Sequence, residues 1–327
     1  MNTVITGSVA FDYLMRFPGR FRENFLVENL DHISVSFLVD EMTKRWGGIA
    51  ANISYTYALL GGRPRLMAAV GQDFGEYRAR LEKVGVDTSA AIAIDAVFTA
   101  SFFANTDVEN NQIASFYAGA MNHARHYTLK DTLRPLPEYV VISPNDPVAM
   151  MNYCAECKAL GIPYMYDPSQ QVPRTEGDDL RRGIENAHTL IVNEYEWHMI
   201  VRKTGMTREN VLEHVKVLII TLGKRGAEIY AEGHYHAVPL FPVPDNDIVD
   251  PTGVGDAFRA GVLRGMAEGW NWETTGRVAA LCSAYTLENL GPQEHFFTPE
   301  QFVRRFRTAF DDGGALDAML TPAAQRG

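Results

Sequence analysis

The run Asp250-Pro251-Thr252-Gly253-Val254-Gly255-Asp256-Ala257-Phe258-Arg259-Ala260-Gly261 sets a loop able to hold an anion directly before a carboxylate. Gly253 and Gly255 flank a single residue, which lets the backbone N–H groups of Gly253, Val254 and Gly255 turn inward. Ala257 to Met266 reads as the helix that follows, so the loop occupies a helix N-terminus, where unpaired N–H groups and the macrodipole favour negative charge. A carboxylate beside such a site is costly unless it takes part in chemistry, and removing a proton from an attacking hydroxyl suits Asp256. That chemistry is phosphoryl transfer, with the loop amides as a cradle for the moving phosphate. Taken alone, Gly-x-Gly-Asp reads as readily as an ordinary strand-to-helix turn with an N-terminal charge.

Three other segments carry polar groups directly after apolar, strand-like runs. Asn193-Glu194-Tyr195-Glu196 follows Leu190-Ile191-Val192, and by itself is also an N-cap with helix acids. Thr221-Leu222-Gly223-Lys224-Arg225-Gly226 follows Val217 to Ile220, and by itself is also a β-turn with surface cations. Asp12 closes Gly7-Ser8-Val9-Ala10-Phe11-Asp12 after the first strand, and its carboxylate can accept two hydrogen bonds from vicinal hydroxyls. No Gly-x-x-x-x-Gly-Lys-Ser/Thr occurs, which argues against a Walker-type ATPase, and no Gly-x-Gly-x-x-Gly follows the first strand, which argues against a dinucleotide oxidoreductase.

These groups need a scaffold, and the chain has the composition for one. Its 327 residues are 46% hydrophobic and 21% charged, within the range of a large globular core. A net charge of −10, with no basic run longer than Arg304-Arg305, argues against nucleic acid or an anionic membrane surface as partner. Small-molecule substrates are expected instead. No apolar run approaches the ~20 residues that span a bilayer, and Met1 to Thr6 lacks a signal-peptide layout, so a cytoplasmic location is expected. Cys154-x-x-Cys157 falls in a helix-like stretch with Cys282 remote, and reads as reduced, packed thiols rather than a zinc or redox site.

Strand-like runs at Arg65 to Val70, Tyr139 to Ser143, Tyr164 to Asp167, Thr189 to Asn193 and Val217 to Thr221 alternate with helical patterns such as Ile49 to Leu60 and Val148 to Leu160. Such alternation predicts βαβ units and a mainly parallel sheet with helices on both faces, its ligands beyond the strand C-termini. Ile33 to Val39, Thr99 to Ala104 and Gln112 to Tyr117 break the pattern and predict a small antiparallel sheet projecting from the main body. The Gly- and Ala-rich tail from Asp311 to Gly327 reads as a loosely held terminus.

The twelve-residue run resembles the C-terminal signature of the ribokinase-like (PfkB-type) family of carbohydrate and nucleoside kinases. Gly47-Gly48-Ile49-Ala50-Ala51-Asn52, Leu60-Gly61-Gly62 and Val70-Gly71-Gln72-Asp73-Phe74-Gly75 resemble its N-terminal signature, and the two matches span about Thr3 to Arg307. The resemblance implies an α/β catalytic domain (residues 1–10, 47–96 and 120–327) and a β lid (11–46 and 97–119). It implies ATP as co-substrate, with Thr221, Gly223, Gly226 and Asn193 at the nucleotide and Glu196 organising Mg2+ through water. It also places Asp12, Gly48 and Asn52 on the phosphoryl acceptor, and puts a monovalent cation such as K+ at Asp250. Pro251 departs from the family's usual Thr or Ser and removes an N–H there.

The finer resemblance is to adenosine and nucleoside kinases, through Asn110-Asn111-Gln112-Ile113, Gly119-Ala120-Met121, Tyr166-Asp167-Pro168-Ser169-Gln170 and Gly291-Pro292-Gln293-Glu294-His295. A base needs an apolar or aromatic slot, for which Phe11, Phe37, Phe102, Phe116 and Tyr117 are candidates, each also readable as lid packing. Three functions are therefore carried forward: a nucleoside kinase acting on a 5′-hydroxyl, a sugar kinase for ribose, fructose or a keto-deoxy-gluconate, and a non-catalytic sensor. The lid closes over its own site or pairs with a second subunit's lid as a homodimer.

Overall fold

The computed structural model describes residues 1–25 and 34–320. Among the described residues the strands form two sheets. The strands are β1 (Thr3–Thr6), β2 (Ala10–Arg16), β3 (Glu41–Gly47), β4 (Arg65–Gly71), β5 (Ala91–Ile94), β6 (Ala100–Thr106), β7 (Gln112–Tyr117), β8 (Tyr139–Ile142), β9 (Tyr164–Tyr166), β10 (Thr189–Asn193), β11 (Val217–Thr221), β12 (Ala227–Ala231) and β13 (His234–Val238). The large sheet has the order β13-β12-β11-β10-β9-β8-β1-β4-β5, parallel from β11 to β5.

Strand periodicity explains why helices cover both faces. Ile5, Val141, Ile191 and Ile219 point into one apolar cluster with the helices Ile49–Leu59, Val254–Glu268 and Trp272–Leu287. Their neighbours Val4, Val140, Leu190 and Leu218 point into the other, with the helices Pro147–Leu160 and Gly177–Ile184. Successive residues thus meet opposite helical layers, which is why these strands are apolar throughout. β12 and β13 extend the sheet as an antiparallel hairpin turned at Glu232-Gly233, both at positive φ (55° and 76°), the form a type I′ hairpin turn requires.

The small sheet has the order β3-β2-β6-β7. Two antiparallel pairs are joined by a parallel pairing of β2 with β6, a junction that the expectation of an antiparallel sheet did not include. Its first expected strand is displaced: Ser34 to Val39 forms none, Ile33 lies outside the described residues, and the strand begins at Glu41. Phe37 instead packs against Phe17, Phe21 and Phe25, an aromatic cluster that takes precedence over the alternating pattern. The tail differs as well. Leu316 and Met319 are buried and Arg307 binds Asp312 and Asp317, so 311–320 is packed down; 321–327 lies outside the described residues.

Candidate active site

The carboxyl ends of β1, β10 and β11 open into a cleft of about 1260 Å³, which the residues after β10 and β11, the small sheet and the glycine loop line together. The catalytic, acceptor, nucleotide and metal candidates named from sequence all border it: Asp12, Gly48, Asn52, Asn193, Glu196, Thr221, Gly223, Gly226, Asp250, Gly253, Val254, Gly255 and Asp256. The helix after the loop begins three residues earlier than expected, at Val254, so Asp256 stands inside its first turn. Gly253 is the N-cap at φ 79°, and a Cβ there would lie 2.3 Å from Pro292 Cβ, so both conformation and space demand glycine.

The Val254 N–H turns back to Pro251 O at 3.3 Å. Among the described residues the N–H groups of Gly253, Gly255 and Asp256 have no protein acceptor, and they remain available to an anion. Gly48, at φ 91°, makes the matching close approach on the other wall. A Cβ there would come within 2.6 Å of the Ser8 carbonyl and the Ala10 amide.

Asp256 is 9% exposed, and its Oδ2 accepts a hydrogen bond from Asn52 Nδ2 at 2.8 Å. Burial pushes its pKa up to about 7, against the pull of the Arg259 guanidinium and the Asn52 bond. Asn52 Oδ1 in turn accepts from Gln293 Nε2 at 2.8 Å, and Gln293 Nε2 also reaches the Tyr77 hydroxyl at 2.5 Å. Tyr77 donates to the carbonyl of Gly47 at 2.8 Å. A buried chain of amides and one phenol therefore joins the proposed base to the last residue of β3. Asn52, expected at the acceptor, has both ends of its amide engaged in that chain.

Asp12 stands on β2 in register with Arg45 on β3, and its carboxylate lies over Gly47. Desolvation raises its pKa to about 6. Arg45 donates to the Leu290 carbonyl at 2.8 Å, tying the end of the small sheet to the loop that carries Gln293.

Of the residues expected at the nucleotide and its metal, Asn193 and Glu196 form a reciprocal capping box on the helix Glu194–Thr204. The backbone N–H of Asn193 donates to Glu196 Oε2 and its Nδ2 to Oε1, both at 2.8 Å, and burial raises the Glu196 pKa. Thr221 ends β11, and Gly223 and Gly226 take positive φ in the turn that follows. Asp250 Oδ1 accepts from the Thr252 N–H at 2.9 Å.

Of the five aromatic candidates, Phe102 and Phe116 border the cleft. Phe11 is fully buried against Tyr13, Trp46 and Tyr77, and Phe37 packs with Phe17, Phe21 and Phe25. Cys154 and Cys157 are free and buried, and no group of three or more His, Cys, Asp or Glu among the described residues could hold a metal. No helix among them is long and apolar enough to cross a membrane. Two groups bordering the cleft or its buried chain had no role assigned from sequence: Arg259, paired with Asp167, and Gln293. Both lie in motifs already singled out, yet their partners are 92 and 241 residues distant.

The pfkB family carbohydrate kinase model matches residues 6–299. A nucleoside kinase of Methanothermobacter thermautotrophicus is 29% identical over 304 residues, 92% of this chain and 94% of that protein. The solved Burkholderia thailandensis nucleoside kinase in complex with inosine is 35% identical, with a TM-score of 0.81 over 94% of this chain and 98% of its own; its complex with ADP-inosine has a TM-score of 0.80. The Methanocaldococcus jannaschii nucleoside kinase, described as an archaeal member of the ribokinase family, is 26% identical with a TM-score of 0.83, covering 94% of this chain and 99% of its own. The chain belongs to the pfkB family of carbohydrate kinases, and is a kinase of ribokinase-like fold on the nucleoside-kinase branch.

Proposed function

We propose that the protein transfers the γ-phosphoryl group of ATP to the 5′-hydroxyl of a nucleoside, a purine nucleoside such as adenosine or inosine. The observation that carries this reading is the buried Asp256 at a helix N-terminus, beside the unengaged amides of Gly253 and Gly255. Asn52 holds Oδ2, leaving Oδ1 to take the proton of the attacking hydroxyl. The loop amides stabilise charge on the equatorial oxygens as the phosphoryl group passes across. Asp12 grips the ribose hydroxyls from β2, and Phe102, Phe116 and Met121 supply an apolar slot for the base. The small sheet acts as a lid that excludes water, Arg45 fastening it at Leu290.

The donor set fits hydrated magnesium. Glu196 offers one carboxylate whose oxygens each accept a single bond and keep a lone pair, and magnesium retains several waters. Bound with the nucleotide, the ion would draw charge from the β- and γ-phosphate oxygens. Asn193, Thr221, Gly223 and Gly226 would hold the nucleotide itself, and Asp250, at the start of the loop, is where a potassium ion would act.

The test is ADP formation from Mg-ATP against a panel of nucleosides and free sugars, with and without potassium. Turnover with adenosine or inosine and not with sugars is expected. A sugar kinase is the second reading, since Asp12 could equally hold the vicinal hydroxyls of a free sugar, and turnover confined to ribose, fructose or a keto-deoxy-gluconate would establish it. Silence across the panel would leave a sensor.

A further inference from the structure

Arg259 follows Gly255 by four residues and Asp256 by three, so the helix returns its side chain to the loop from beneath. The residue is 5% exposed. Its Nε lies 2.5 Å from Asp167 Oδ2, and its Nη2 donates to Asp167 Oδ1 at 2.7 Å and to Ser169 Oγ at 3.0 Å. Asp167 is itself fully buried, in the segment that follows β9. Nη2 is thereby held by two hydrogen bonds, Nε stands in ion-pair contact with Asp167, and the third nitrogen faces the loop. A Cβ on Gly255 would stand 2.9 Å from Nη1. The guanidinium also borders the cleft together with Asp256 and Glu196.

A buried ion pair is a weak source of stability, because desolvating both charges offsets most of their attraction, and apolar residues of similar volume often serve the fold better. The Arg259–Asp167 pair therefore calls for another reason to be in this place. We propose that Arg259 is a positioning residue of the phosphoryl-transfer site: clamped by Asp167 and Ser169, it buttresses Gly255 from below and sets a fixed cation beside the carboxylate of Asp256. The assignment rests on Asp256 as the base. Arg259 exchanges no proton. As the acceptor oxygen bonds to phosphorus, its proton passes to Asp256 Oδ1, the bond from phosphorus to the β,γ-bridging oxygen breaks, and that electron pair leaves on ADP. Three acids, Asp167, Glu196 and Asp256, crowd this volume; without the guanidinium, burial and mutual repulsion would keep Asp256 protonated at neutral pH. A lysine cannot replace the fork, since one ammonium cannot hold Asp167 and Ser169 and also reach under Gly255.

The experiment is the pH dependence of kcat/KM for the wild type, Arg259→Lys and Arg259→Met, with melting temperatures alongside. Arg259→Met is expected to move the acid limb upward by about one pH unit or more and to lower the plateau rate by about tenfold to a hundredfold. Arg259→Lys keeps the limb near its wild-type position and loses rate, because the charge survives and the clamp does not. Asp167→Asn, which keeps shape and removes one negative neighbour, moves the limb downward, and it carries the test if Arg259→Met fails to fold. An unmoved limb in Arg259→Met with a normal melting temperature, or a wild-type rate in Arg259→Lys, would overturn the proposal. Infrared titration of the Asp256 carboxyl, assigned by difference from Asp256→Asn, supplies a readout apart from turnover. Turnover retained in Asp256→Asn means that the base reading has failed. Turnover lost there with an unmoved limb in Arg259→Met means that only the present inference has.

Discussion

The two sheets that border the cleft are built on opposite terms. β8 and β9 are buried along their whole length, while every residue of β7 is exposed, including Ile113, Phe116 and Tyr117. The large sheet is a rigid platform whose low dielectric shifts titrations: Asp256, held over it by Asn52, has its pKa pushed to about 7. Along its outer strand β7 the small sheet has no cover, so cleft-facing side chains there lose contact with water only when something covers them, whereas Asp12 on β2 is already desolvated. Shifted carboxylates belong to the platform and to β2, and adaptable apolar contact to the outer strand β7, a division that suits fixed chemistry on a variable acceptor.

The largest expected effect lies on the platform. Asp256→Asn should lower kcat by about 10³-fold, since a positioned base contributes on that order, while nucleoside binding measured by calorimetry persists. Retained turnover would remove the distinction between the two sides. The wild-type profile sharpens it. With an Asp256 pKa of about 7, the base is ionised above that value, so kcat/KM should fall as pH drops through 7. A limb near 4 would show that the platform does not shift the group.

His295 tests the platform's stability rather than its chemistry. It is fully buried, its Nε2 3.0 Å from Thr56 Oγ1 and its Nδ1 3.3 Å from Thr286 Oγ1, and burial lowers its pKa from 6.5 to about 4. The unfolded chain therefore takes up a proton that the folded one refuses, and between pH 6.5 and 4 this group removes up to about 3 kcal/mol of stability. Urea midpoints across that window should fall more for the wild type than for His295→Gln.

Gln293 stands at the junction of the two regions. Gln293→Leu frees Asn52 to turn its amide away from Asp256 and should cost about tenfold in kcat, roughly one buried hydrogen bond. An unchanged kcat would show that the chain from Gly47 to Asp256 is packing alone. The smallest effect belongs to the small sheet. Phe116→Ser should raise the nucleoside KM by about tenfold at most, one stacking contact, with melting temperature unchanged. Sedimentation of the same variant reports whether this face also joins two subunits.

The site was unevenly legible. The local geometry around Asp256, the glycine loop and Glu196 was readable because a helix N-terminus and a capping box are set within four residues. The main strands were readable because both faces are covered and their sequences are apolar throughout. Ser34 to Val39 was misread because alternation does not reveal what a side chain will meet, and Phe37 met an aromatic cluster. Phe11 lies on a cleft-side strand in sequence and in the core in space.

By itself, then, the sequence determined the alternation of strands and helices, the glycine loop at the helix N-terminus, and the carboxylate that follows it. Only the tertiary structure decided which groups set that carboxylate's charge. Arg259 meets Asp167 across 92 residues, and Gln293 orients Asn52 across 241. Hydrogen bonding and Coulomb interaction act over a few ångströms of space, whereas sequence patterns report only what a residue and its near neighbours in the chain prefer.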